Sequence, residues 1–180
     1  TGATININKD ISVSAASITN AGTITSSEND VNLTATTGDL SNAGTITTDG
    51  AITLEAAAGT VTNATALTGM GGVTLSGSAT STTNAVVNSG VISAADAVAL
   101  TAATGVVSNS GKITTSSGGI ALTGVGDTDN SDTYVVYNTG SMVAEDGDIE
   151  LTAKTAGSVY NSGVLSAEAG EVKLTTTVGN

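Results

Sequence analysis

Cysteine, histidine, arginine, proline, tryptophan and phenylalanine are all missing from these 180 residues, and three tyrosines supply the only aromatic area. Without cysteine there are no disulfides and no thiolate metal sites. Without histidine no Ser-His-Asp set can assemble, and imidazole is unavailable as base or ligand. Four lysines (Lys9, Lys112, Lys154, Lys173) face 16 acidic residues, leaving a formal net charge of −12. A surface so acidic repels nucleic acid and anionic lipid headgroups. Mean hydropathy is positive at +0.23, yet no apolar run approaches the ~18 residues of a membrane-spanning helix. The apolar residues are instead dispersed in short alternating runs.

An asparagine recurs in one local context. It stands in Ile18-Thr19-Asn20-Ala21-Gly22-Thr23-Ile24, in Leu40-Ser41-Asn42-Ala43-Gly44-Thr45-Ile46, and again around Asn63, Asn88, Asn109, Asn138 and Asn161. The intervals are 22, 21, 25, 21, 29 and 23 residues, and self-similarity at this period is the signature of a solenoid. Ten or eleven residues after each asparagine comes a second motif: Val31-Asn32-Leu33, Ile52-Thr53-Leu54, Val73-Thr74-Leu75, Val98-Ala99-Leu100, Ile120-Ala121-Leu122, Ile149-Glu150-Leu151 and Val172-Lys173-Leu174. Alternation with period two predicts strands. The dominance of Thr, Val, Ile and Gly, with no apolar stripe at 3.6, argues against helices. Each repeat offers three short strands, at Gly-x-Ile, at Val-x-Leu-x-Ala and at Val-x-Asn. The fold class expected is all-β, a right-handed parallel β-helix of about eight coils with three short strands per coil. Its hand follows from the bias of parallel crossovers, and its length of about 38 Å from eight strand spacings.

The asparagine shares the parity of the aliphatic residue two places before it. Asn20, Asn42, Asn63, Asn88, Asn109, Asn138 and Asn161 are therefore expected to point inward and form a structural ladder, exchanging amide hydrogen bonds from coil to coil. The glycine two residues on is expected to supply a positive φ. Residues 1–180 span eight turns in phase, starting at Thr1 without an initiator Met, and are expected to be a single repeat segment excised from a longer array.

Asn-Ala/Ser-Gly-x-Ile followed by Val-x-Leu-x-Ala, at about 20 residues per turn over essentially the whole chain, resembles the haemagglutinin-type repeats of large secreted bacterial adhesins. These are the filamentous-haemagglutinin-like exoproteins exported by two-partner secretion. The resemblance implies a right-handed β-helical shaft that holds a receptor-binding or toxic tip away from a bacterial cell. It further implies a secreted or cell-surface location, adjacent repeats of the same chain as neighbours, and a glycan or protein on a host or neighbouring cell as partner. The turns of 25 and 29 residues depart from the family's regularity, and its Asn-Pro-bearing secretion domain is not represented, since the chain has no proline.

Catalysis is not expected. Polysaccharide lyases built on this fold need a basic group and calcium or arginine to stabilise an anion, and the four lysines fall at dissimilar repeat positions. Glycoside hydrolases need two carboxylates about 5–9.5 Å apart across a cleft, whereas Asp49, Glu55, Asp96 and Glu168 lie on different turns and corners. An ice-binding face is likewise not expected, because the Thr23/Thr25 and Thr45/Thr47 pairs give way to Val91, Lys112 and Val164.

Binding has two candidate locations. From each Leu to the next Val-x-Asn the count is 7, 7, 11, 7, 14 and 8 residues, so expansion is confined to one corner, in loops at 76–85 and 123–135. Lengthening a corner loop costs a solenoid little, and both loops are expected to project from one edge with a notch between them. The second loop carries Asp127, Asp129 and Asp132, a hard-oxygen supply of the kind Ca²⁺ takes, although exposed loops of acidic chains are commonly acidic; calcium is the one candidate ion, and no cofactor is expected. Tyr137 and Tyr160 occupy the same outward position in adjacent turns and are expected side by side; with Tyr134 they form a candidate stacking surface. The alternative to a plain shaft is thus a carbohydrate- or calcium-binding module that uses these two loops.

Overall fold

The computed structural model describes residues 3–80, 82–126 and 134–177. Every regular element among them is a strand, and the strands form three parallel sheets of eight, eight and seven members. Each coil contributes one strand to each sheet in turn. The fifth coil, for example, runs Val91–Ala94 in the first sheet, Val98–Ala102 in the second and Val106–Asn109 in the third. The solenoid of about eight turns and three strands per coil follows directly.

Register places like on like. In the first sheet Ile24, Ile46, Leu67, Ile92, Ile113 and Met142 are consecutive Cα partners. In the second, Leu33, Leu54, Leu75, Leu100, Leu122 and Leu151 do the same. Both columns are buried, as is the third-sheet column through Leu40, Val61, Val86, Val107 and Val136. A buried Leu or Ile contributes about 1.5–3 kcal/mol, and here each touches its counterparts above and below.

The asparagines stand at the corner between the third and first sheets. Asn42, Asn63, Asn88, Asn109 and Asn138 have no exposed surface. Each Nδ2 donates to Oδ1 of the following turn, from Asn20 through to Asn161, at 2.7–2.8 Å. At Asn63, Asn88, Asn109, Asn138 and Asn161 Nδ2 also donates to the carbonyl two residues on, as from Asn88 to Gly90 O at 3.3 Å. Asn42 Nδ2 instead reaches Thr65 Oγ1 of the next turn at 3.3 Å. The ladder therefore has one direction throughout, and it closes the corner from inside.

The glycines beside it correct the sequence reading. Among the described residues positive φ occurs only at Gly105, Thr155 and Gly157, so the glycine after each asparagine is not there for a left-handed backbone. It is there because coils touch. A Cβ on Gly111 would lie 1.9 Å from Gly90 O, and one on Gly140 2.0 Å from Gly111 O. In the turn that lacks this glycine, Thr65 takes its place and its hydroxyl donates to Gly44 O at 2.7 Å.

Polar groups at the remaining corners serve the same stacking. Buried Ser26 donates to Lys9 O at 2.9 Å. Asp30 Oδ1 accepts from Ala51 N at 2.8 Å, and Asp39 Oδ1 from Thr60 N at 2.8 Å. Among the described residues no buried side-chain polar atom lacks a partner.

Replacing Asn109 by Ala leaves the amides of Asn88 and Asn138 each without one partner and is expected to cost about 1–3 kcal/mol. Ser108→Ala, on the outer face of the same strand, is expected to be neutral. Asn109→Asp loses the donor and puts a carboxylate against Asn138 Oδ1. Burial and that acceptor raise its folded pKa above the unfolded value. Stability is then best below the unfolded pKa and falls as pH rises through the folded one. Denaturant midpoints of the three variants at acid and neutral pH check this, and equal values for Asn109→Ala and Ser108→Ala would refute the ladder's contribution.

Candidate functional site

Departures from regularity gather at the corner between the second and third sheets. Both expanded turns leave the second sheet through a glycine, at the end of Val73–Gly77 and within Ile120–Val125. In register, Gly77 and Gly124 stand where neighbouring coils carry Ala56, Ala102 and Ala153. The returning chain explains them, because a Cβ on Gly77 would sit 2.0 Å from Ala85 O and one on Gly124 1.9 Å from Val135 O. Both returning strands then begin with an irregularity of register, between Asn84 and Val86 and between Tyr134 and Val136. The extra residue lets two successive side chains face inward, Ala85 with Val86 and Val135 with Val136, all fully buried. The two expansions are one device used twice, two coils apart.

The shorter turn between them is tied to the described parts of both. Ala79 N donates to Thr104 O at 3.1 Å, and Thr104 Oγ1 to Ala79 O at 2.6 Å. Val106 N donates to Thr83 O at 2.9 Å. On the other side Gly105 and Val125 exchange two backbone hydrogen bonds in an isolated antiparallel bridge, at 2.8 and 3.1 Å. Gly105 adopts φ +100°, and a Cβ there would meet Thr83 O at 2.7 Å. The other two positive φ values, at Thr155 and Gly157, fall on the same corner two coils on. Every positive φ among the described residues falls at this edge, and of the three only Thr155, which is β-branched, is strained by it.

All three tyrosines meet beside it. Tyr137 and Tyr160 are Cα partners on the third sheet, and their rings stack with centroids 4.6 Å apart and planes 9° from parallel. Tyr134, where the second expansion rejoins the sheet, sets its ring against Tyr160 at 5.3 Å and 64°. Tyr134 and Tyr137 stay 49% and 38% exposed. Stacked and edge-on pairs each add about 0.5–1.5 kcal/mol beyond burial, so the cluster braces the outer face while leaving aromatic surface to solvent.

Asp127, Asp129 and Asp132 lie outside the described residues, as does most of the loop at 123–135. Among the described residues no group of three carboxylates converges on a point that could hold a metal ion. The strongest charge pairing sits instead on the second sheet's outer face, where Lys173 Nζ lies 2.6 Å from Asp148 Oδ2 and 3.4 Å from Glu171 Oε2. The Lys173 hydrogen bond, helped by the Glu171 backbone N–H, holds the Asp148 carboxyl below its ordinary value, and the same two carboxylates raise Lys173. Comparison of the chain with protein-family models, with curated proteins and with solved structures finds no match.

Gly124→Ala drives a Cβ into the Val135 carbonyl and is expected to cost about 1–3 kcal/mol, while Ala56→Gly, in the same column, should cost about 0.5–1 kcal/mol; chemical denaturation of both variants tests the difference. For Asp148 the folded pKa is depressed, so its contribution is present above the unfolded value and lost as pH falls through the folded one. Carboxyl NMR should show it titrating below the usual aspartate range, and Lys173→Met should move it back up.

Proposed function

We propose that this chain is a non-enzymatic shaft segment of a secreted or cell-surface bacterial adhesin or cell-contact protein. The observation that supports this reading most is the contrast between the inner and outer columns. The inner columns repeat from turn to turn, with the asparagine ladder running in one direction from Asn20 to Asn161. On the first sheet the outward partners change freely, through Ala66, Val91, Lys112, Ser141 and Val164. Such a chain specifies a stacking direction and a length of about 4.8 Å per coil while leaving most of its surface unspecified. A spacer needs those properties, and the haemagglutinin-type repeat motifs point the same way.

The reading predicts that length matters and surface sequence does not. In a surface-displayed fusion carrying a known adhesive tip, removing whole coils should reduce tip-dependent adhesion stepwise. Restoring them with coils that keep every inward residue, the corner glycines and aspartates, and Tyr134, Tyr137 and Tyr160, but randomise the remaining outward strand positions, should restore it. Failure of the randomised coils to do so would overturn the shaft reading.

A further inference from the structure

The outward column of the third sheet runs Thr62, Val87, Ser108, Tyr137, Tyr160, each the Cα partner of the next. Ser108 is the short rung. At one strand spacing per coil, Val87 and Tyr137 stand about 10 Å apart across it, enough for one ring lying flat between them. The parallel Tyr137–Tyr160 stack occupies one face of Tyr137 and turns the other back along the axis, over Ser108. That face is held in place, because Tyr160 is itself held edge-on by Tyr134. A pre-oriented surface loses little entropy on binding.

One column away, at the residue after each asparagine, the first turns carry Ala21, Ala43 and Ala64, while the turns around the tyrosines carry Ser89, Ser110, Thr139 and Ser162. All four of these hydroxyl residues are exposed. They share the outward parity of the Ser108 column and lie two residues from it, roughly 7 Å along the strand. The row of donors and acceptors therefore begins two coils before the first ring of the aromatic column and runs beside the gap over Ser108.

We propose that the gap over Ser108 is a binding site for a neutral pyranose unit of a glycan chain. The C–H face of the sugar lies on the free face of Tyr137, Val87 forms the opposite wall, and the sugar's hydroxyl edge reaches Ser110 and Thr139. A bare aromatic side chain of a protein partner would use the stack but leave the hydroxyl row idle. A nucleotide, through its phosphates, or a uronic acid would bring negative charge to a chain of net charge −12. The site is independent of the shaft reading, since a spacer can carry it or lack it.

The chain reports on its own occupancy, because it has three tyrosines and neither tryptophan nor phenylalanine. Tyrosine emission and ring-proton NMR are followed while the full chain is titrated with cellohexaose, a β-1,4-galactan hexamer, hexagalacturonate, or a neutral phenylalanine-containing peptide. Millimolar neutral hexaose is expected to shift the Tyr137 ring signals. Ser108→Tyr, which fills the gap with a further stacked ring, should weaken that binding at least about tenfold with an unchanged circular dichroism spectrum, and Tyr137→Ala should do the same. The proposal is overturned if neither neutral hexaose perturbs the wild-type tyrosines, if the perturbation maps away from Tyr137, if hexagalacturonate or the peptide binds as well, or if a folded Ser108→Tyr variant binds undiminished.

Discussion

Every turn must lie directly on the one before, at a single strand spacing, and at the asparagine-glycine corner that contact is close in nearly every turn. There the carbonyl of one turn approaches to within about 2 Å of where a Cβ on the next turn's glycine would be, so glycine alone fits that approach; in the one turn with Thr65 instead, the hydroxyl bonds to Gly44 O at 2.7 Å. Beside it, amides bonded at 2.7–2.8 Å hold the interior face of the corner. Backbone ladders alone would allow a parallel strand to slip by two residues and keep its alternation. The asparagine and the glycine forbid the slip, because neither amide nor carbonyl would then find its counterpart.

Much of the composition follows from that contact. Identical aliphatics stacked at one spacing fill a narrow interior without aromatic rings, and small residues such as Ser26, Ala94 and Ala144 fit the buried corner between the first and second sheets. Several carboxylates tie one coil to another, since Asp10, Asp30, Asp39 and Asp148 each accept a backbone N–H of the next coil. The acidity of the chain is thus partly a by-product of how its corners are tied, and no cleft is needed to account for it.

The one corner released from this regularity shows what a solenoid tolerates. Expansion there leaves the stacked strands in register, at the cost of a glycine on leaving and an irregular strand on returning. The same edge brings Tyr134 into reach of Tyr160 and gathers the aromatic side chains of the chain into one patch. Steric accounting at Gly77 and Gly124 makes the expansions built features, since a freely drifting loop would not need its exit residue changed in both turns.

By itself the sequence determined the fold class, the inward columns, the asparagine column, the pairing of Tyr137 with Tyr160 and the corner that expands. All of these are matters of period and parity, and period survives in one dimension. Gly77 and Gly124 were also visible as breaks in the alanine column, although their meaning was not. Only the tertiary structure decided why glycine follows asparagine, because the reason is an oxygen about 20 residues away in sequence and one strand spacing away in space. It alone placed Tyr134 against Tyr160, since strand parity fixes which face a side chain leaves from and says nothing of how a loop-borne ring leans. It alone showed corner aspartates accepting the backbone of the next coil, a bond that depends on the distance between turns rather than on any pattern within one.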